Sequence, residues 1–321
     1  MDEFDISARY FAPLAKDPGA LGLIDDAAFI PPRPGFDLVI TTDQIAADTD
    51  FFAHDPPGTV AKKALRVNLS DLAAKGARPE YYLLNLALPR SVREDWLAAF
   101  AKGLAEDQQE FGVSLLGGDT SAIEGPLSIA ITAFGFVPQG RMVKRSGAKA
   151  GDAVYVTGTI GDSAGGLAIF KREKHQLRDA QRDYLTRRYQ VPEPQVAFGA
   201  NLSGLASAAV DISDGLVADL GHLAEASNVK IELDAEAIPR SDALRALWGD
   251  GSDAILRAAT AGDDYQIAFT APRAHATKIR EAAAQAQTQV THIGHVATGE
   301  GINLSRSGRR IAIPNSGYRH F

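Results

Sequence analysis

Carboxylates and hydroxyls recur in this chain where apolar runs stop. Asp25 and Asp26 stand in "LIDDAAFI", Thr41, Thr42 and Asp43 close "VITTD", Asp119 sits in "GGDT", and Asp211 and Asp214 flank the serine of "DISDG". Asp71 is placed differently, within a stretch of helical spacing, with Asn68 before it and Lys75 after it. At that spacing the three form a polar stripe on an otherwise Ala/Leu-rich helix. Singly, each acid has an ordinary structural reason, because Asp and Asn favour turns and caps through local hydrogen bonds. Together they ask for more. Carboxylates gathered in one place raise each other's pKa, and a fold tolerates that when a cation neutralises them. A donor set of carboxylates and threonine hydroxyls suits Mg2+ rather than zinc, and Mg2+ usually shares its coordination with substrate phosphates. The pattern therefore points to a nucleotide-polyphosphate site. Phosphoryl transfer there rests on positioning and charge neutralisation.

Two further stretches fit phosphate handling. "TGTIGDSAGGL" (157–167) reads as a Gly-rich strand-to-helix turn whose amides could hold an anion at a helix N-terminus. Lys144 and Arg145 could pair with phosphate, Arg in bidentate fashion. No G-x-x-x-x-G-K-[ST] occurs and the protein-kinase motifs are missing, which excludes those two nucleotide-binding classes.

The elements that must position these residues are legible as short apolar runs alternating with helical stretches. Strands are predicted in "FDLVITTD", "YYLLNLALP", "GVSLLGGDT", "LSIAITAFGFV", "DAVYVTGTIGD", "AAVDISDG", "DYQIAFT" and "HIGHV". Helices are predicted over 58–79, with Leu65, Leu69 and Leu72 on one face, and over 93–112. A third spans 213–227, with Leu216, Leu220 and Leu223 aligned and Ser213 as N-cap, and a Lys/Arg-rich one covers roughly 163–188. The alternation favours a mixed α/β and α+β protein. "VKRSGAKAGD" (143–152) reads as a domain boundary, dividing the chain into 1–145 and 146–321.

The bulk numbers bound the rest. With 321 residues the chain is long enough for about two domains. Its 45% hydrophobic and 23% charged residues are ordinary for a soluble globular protein. A net charge of −7 argues against a nucleic-acid partner, and no apolar run reaches membrane-spanning length. Cysteine is absent, which excludes thiolate zinc sites and cysteine nucleophiles and fits a reducing, cytoplasmic setting.

These motifs, in this order, closely resemble those of thiamine-monophosphate kinases, within the superfamily that includes aminoimidazole-ribonucleotide synthetase and selenophosphate synthetase. The matching stretches run from "DDAA" (25–28), "TTD" (41–43) and "KALRVNLSDLAAKGARP" (63–79) through "GGDT" (117–120) and "RSGAKAGDAVYVTGTIGDSAGGL" (145–167). They continue with "DISDGLVADLGHLAEAS" (211–227), "GDDYQIAFT" (262–270), "HIGHV" (292–296) and "GYRHF" (317–321). The resemblance implies an N-terminal α/β domain, a C-terminal α+β domain that completes a nucleotide and substrate cleft, and a homodimer formed through the N-terminal domains. It implies ATP-dependent phosphorylation of thiamine monophosphate to thiamine diphosphate, by direct in-line transfer assisted by several Mg2+ ions and with no assigned general base.

Carried over by motif position, the resemblance places Mg2+ ligands at Asp26, Thr41, Thr42, Asp43, Asp71, Asp119, Asp211 and Asp214, and ATP contacts at Gly118, Asp119, Arg145 and Ser213. Substrate contacts fall on Asp50, Asp263 and Tyr318. This chain departs from the family pattern on the acceptor side. Ile24 stands where a Gly precedes the paired acids, Asp48 replaces a Gly, Asp50 a His, Asp263 a Glu and Gln266 a second Glu. The alternative that these departures raise is an enzyme of the same superfamily acting on a different acceptor.

Overall fold

Strict alternation shapes the first sheet. Strand β1 (Phe36–Ala46) buries Val39 and Ile45 and exposes Phe36, Leu38 and Ile40 on its other face. It pairs antiparallel with β4 (Ser128–Pro138), β4 pairs antiparallel with β2 (Arg78–Pro89), and β2 pairs parallel with β3 (Ser114–Ile123), giving the order β1-β4-β2-β3. β1 and β3 are the two edges. The structure, a computed structural model, describes residues 3–173, 176–314 and 317–318.

The chain divides into two compact units, one of Met1–Leu72 and Ala77–Gly140, the other of Ala73–Gly76 and Arg141–Phe321. In the first unit a short α1 (Glu3–Ile6) precedes the sheet. Helix α2 (Pro57–Ala74) buries Leu65, Leu69 and Leu72, and α3 (Glu94–Phe111) buries Leu97, Phe100 and Leu104. Arg66 of α2 lies bidentate on Asp107 of α3, at 2.7 and 2.8 Å, and reaches Glu110 at 2.7 Å. Removing one partner of such a buried pair strands the other, so the pair fixes how α2 lies. Gln108 of α3 donates to the buried Tyr82 hydroxyl of β2 at 3.2 Å. α2 ends where its sequence marks the stop. Gly76 turns the chain at φ 74°, Ala77 N–H closes on Leu72 C=O, and Pro79 already belongs to β2.

The second unit is built on a seven-stranded sheet of order β11-β10-β7-β9-β5-β8-β6. Its strands are β5 (Ala153–Thr157), β6 (Ala208–Asp211), β7 (Lys230–Asp234), β8 (Ile267–Ala271), β9 (Val290–Ala297), β10 (Gly301–Arg306) and β11 (Arg309–Ile311). Only β7 and β10 pair in parallel. Alternate residues of β5 enter two different cores. Val154 and Val156 pack with Leu216, Leu220 and Leu223 of α7 (Leu216–Ser227), while Tyr155 packs with Phe198, Phe269 and Ile279. Helices therefore cover both faces, Phe198 coming from the short α6 (Val196–Gly199) and Ile279 from α10 (Ala276–Gln285).

The single Lys/Arg-rich helix expected over 163–188 is two helices, α4 (Asp162–Phe170) and α5 (Asp179–Gln190). Arg172 takes the left-handed conformation at φ 60°, which no continuing helix allows. Lys174 and His175 lie outside the described residues. Two more helices, α8 (Asp242–Trp248) and α9 (Ser252–Thr260), follow β7.

Candidate active site

In the first unit β1 and α2 bring four oxygens and an amide together. Asn68, fully buried on α2, is held by Ala64 C=O at 3.0 Å and accepts the Asp43 amide hydrogen at 3.0 Å. One turn further along α2, Asp71 accepts the Thr41 hydroxyl at 2.5 Å. Thr42 points its hydroxyl to Ile131 C=O of β4 at 3.1 Å, and Thr132 donates to it at 3.1 Å. The surrounding protein desolvates the Asp43 carboxyl and pushes it up to about 6, and the charges of Asp71 and Asp50 add to the rise, although part of Asp43 stays open to solvent. A group in this condition is stabilised by a cation, and the donors present are hard oxygens. The site fits a divalent cation of the Mg2+ type.

Asp119, another expected ligand of this unit, stands apart from that group. In the pairing register Asp119 of β3 lies in the row Gln44–Ala130–Asn85–Asp119. It is three strands from β1, roughly 14 Å at ordinary strand spacing. Asp119 is exposed, and so is Asp26 in the irregular segment before β1. Among the described residues no three His, Asp or Glu side chains form a cage of their own. Mg2+ completes its shell with water and phosphate, so a closed protein cage is not its usual habitat. Gly118 has a definite reason to be glycine: at φ 149°, an added Cβ would lie 1.7 Å from Leu84 C=O. The backbone of β3 can approach β2 there only without a side chain.

The three acids that follow β1 are turn residues. Asp50 accepts the Ala46 amide hydrogen at 2.8 Å, Asp48 accepts that of Ala53 at 3.2 Å, and Asp55 that of Phe52 at 2.9 Å. Asp48 adopts φ 63°, a conformation that Asp reaches more readily than most residues. The buried Lys63 of α2 donates to Asp50 C=O at 2.8 Å and ties the turn down.

In the second unit the loop after β6 carries Asp211, Ser213 and Asp214. Ser213 is not the cap of α7. That position falls on Gly215, and the loop amides are held from within the helix instead. One carboxylate oxygen of Asp219 accepts the amide hydrogens of Ser213, Asp214 and Gly215 at 3.1, 3.0 and 3.1 Å. Burial pushes the Asp219 carboxyl up to about 7, the nearby Asp214 charge adds to this, and the amides and Arg145 oppose it. On its outer side the loop pairs with the segment before β8. Ile212 N–H donates to Gln266 C=O, Tyr265 N–H to Ile212 C=O and Asp263 N–H to Ser213 C=O, at 2.8, 2.8 and 2.7 Å. Tyr318 N–H meets Asp214 C=O at 3.0 Å, and the residue is 53% exposed.

Two amides of the Gly-rich turn are committed to an acid. Gly161 and Ser163 N–H donate to the buried Asp264 carboxylate at 2.6 and 3.3 Å, and the Ser163 hydroxyl reaches Asp263 at 3.0 Å. An acid already occupies the helix N-terminus where an anion was expected. Asp162 is buried beside it and receives the hydroxyls of Thr159, Tyr184 and Ser241. Neither Asp219 nor Asp264 stood out in the sequence. Asp219 carried a usable signal: it falls at the third position of the stripe Leu216, Leu220, Leu223, so helical spacing places it on the buried face.

Residues 24–137 match the family model for the AIR synthase related protein, N-terminal domain, and residues 149–306 match that for its C-terminal domain. A thiamine-monophosphate kinase of Caulobacter vibrioides is 42% identical over 99% of this chain and 90% of its own. This chain belongs to the thiamine-monophosphate kinase family. The crystal structure of the family member from Stenotrophomonas maltophilia K279a is 39% identical, with a TM-score of 0.84 over 96% of each chain. A structure described as "AaThiL complexed with AMPPCP and TMP" is 32% identical, with a TM-score of 0.79 over 91% of this chain and 89% of that one.

Proposed function

We propose that the protein transfers the γ-phosphoryl group of ATP to the phosphate of thiamine monophosphate, giving ADP and thiamine diphosphate. The observation that carries this reading is the 42% identity to a thiamine-monophosphate kinase over 99% of the chain. The grouping of the Asp43 and Asp71 carboxylates with the Thr41 hydroxyl, a concentration of negative charge, supports it. The acceptor phosphate is already ionised at neutral pH, so the chain needs no general base to make it a nucleophile. Bound Mg2+ would neutralise the transferring phosphates. Thr41, Thr42, Asp43 and Asp71 are the residues proposed to hold it on β1 and α2, with Asp26, Asp119, Asp211 and Asp214 as the remaining ligands. Gly118, Arg145 and Ser213 are assigned to ATP, Asp263 and Tyr318 to the acceptor.

The acids at 48 and 50 do not call for another acceptor, because both are engaged in closing a turn. A steady-state assay with ATP, Mg2+ and thiamine monophosphate tests the reading; absence of thiamine diphosphate above background overturns it. A cytoplasmic setting, where ATP is supplied, is part of this proposal. No described helix is long and apolar enough to cross a membrane.

The proposal includes a homodimer. Phe36, Leu38 and Ile40 leave 41%, 43% and 57% of their surface exposed on one face of an edge strand. A second copy would cover this apolar row. Sedimentation of Ile40→Lys beside the wild type tests it: a shift to monomer is expected, and a wild-type monomer refutes the dimer.

A further inference from the structure

We infer that Asp219 is a positioning residue for the nucleotide, acting through the backbone of residues 213–215. The inference rests on the assignment of Ser213 and Asp214 to the ATP and metal side. Three successive amides converge on one oxygen of Asp219, and the side chain is 1% exposed. A loop whose amides point at a buried acid cannot turn those amides to a phosphate. Its contribution to a ligand must come from the side chains of Ser213 and Asp214.

The loop has little other freedom. Asp263 N–H holds Ser213 C=O at 2.7 Å and Tyr318 N–H holds Asp214 C=O at 3.0 Å. Gly262 and Gly317 let these neighbours approach, since an added Cβ would lie 2.3 Å from Ser213 C=O and 2.6 Å from Asp214 C=O. Those bonds fix the carbonyl side of the loop, and Asp219 alone fixes its amide side among the described contacts. One oxygen of the Asp219 side chain thus serves three donors, each at 3.0–3.1 Å. A group set to within about half an ångström by such support is what phosphoryl transfer requires.

The test compares Asp219→Ala and Asp219→Asn with the wild type in steady-state kinetics. Each substrate is varied with the other saturating and Mg2+ in excess. Asp219→Ala is expected to raise the KM for Mg-ATP at least about tenfold and to lower kcat, while the KM for thiamine monophosphate stays within about twofold. Asp219→Asn keeps an acceptor oxygen and is expected to fall between the two. A folded Asp219→Ala enzyme with wild-type KM for Mg-ATP overturns the inference, as does an equal loss on both substrates. Should the alanine variant not fold, the asparagine variant decides alone, and wild-type kinetics in it overturn the inference. Asp214→Asn and Ser213→Ala separate the two levels. If they raise the KM for Mg-ATP and the Asp219 variants do not, Asp219 is refuted and the nucleotide assignment stands. If they also leave it unmoved, the nucleotide assignment itself falls.

Discussion

The carboxylate of Asp50 accepts the amide hydrogen of Ala46 at 2.8 Å, and so closes the turn in which the chain leaves β1. By motif position a histidine is expected here, and an imidazole has one acceptor nitrogen at most and a different reach, so it does not reproduce the carboxylate's bond. Asp50→His is therefore expected to lose about 1–2 kcal/mol of stability, seen as a lower melting temperature. Its kcat/KM for thiamine monophosphate should not exceed that of the wild type. A stable Asp50→His enzyme with higher kcat/KM would show that the acid hinders the acceptor.

Thr41 and Asp71 link β1 to α2 beside the desolvated Asp43. Asp43→Asn and Asp71→Asn each remove one negative charge from the pair and keep one acceptor oxygen. Turnover is expected to fall by at least about a hundredfold in either, with no loss of melting temperature at neutral pH. Wild-type rates in one of them would take that residue out of the metal site.

Gly118 places β3 against β2 just before Asp119. Gly118→Ala puts a methyl group 1.7 Å from Leu84 C=O, which the two strands can accommodate only by parting. The expected loss is about 3 kcal/mol or more, with turnover reduced beyond what the fraction unfolded explains. Thermal melting together with activity per folded enzyme measures both. A variant with unchanged melting and activity would mean that β3 moves freely there.

Asp264 gives a pH dependence with a definite sign. Burial raises its carboxyl to about 8 from the ordinary 3.8, the Asp162 charge also raises it, and the amides of Gly161 and Ser163 lower it. The folded state thus holds a proton that the unfolded chain has given up. The stability contributed by this group is fully present below pH 3.8 and is lost as pH rises through about 8. The wild type should therefore lose melting temperature relative to Asp264→Asn between those two values and run parallel to it above them. Parallel melting curves over the whole range would show that Asp264 is ionised when folded.

Much of this was open to reading from the sequence, for identifiable reasons. β1 and α2 announced themselves by period, and "TTD" at the end of an apolar run met Asp71 as the polar stripe suggested. The Gly-rich turn misled, because two of its amides are taken by Asp264, a residue about a hundred positions away that spacing cannot connect. Ser213 misled for a related reason: a helix can bind its leading loop from inside, through Asp219, and leave the usual cap position to Gly215. The break after α4 depended on a single left-handed residue, Arg172, with no glycine or proline to mark it. Asp50 read as a departure from the family pattern, and motif comparison gave no sign that its carboxylate also closes a turn on Ala46, four residues away.

The pairing of β6 with β8 does not end where the strands do. It runs on through Ile212, Asp263 and Tyr265 as three further backbone bonds. In deuterium exchange these three amides should behave as strand rather than loop, opening only with larger unfolding of the second unit. A region proposed to serve the nucleotide, which reads as two flexible glycine-containing loops, would then be among the slowest parts of the chain to take up label.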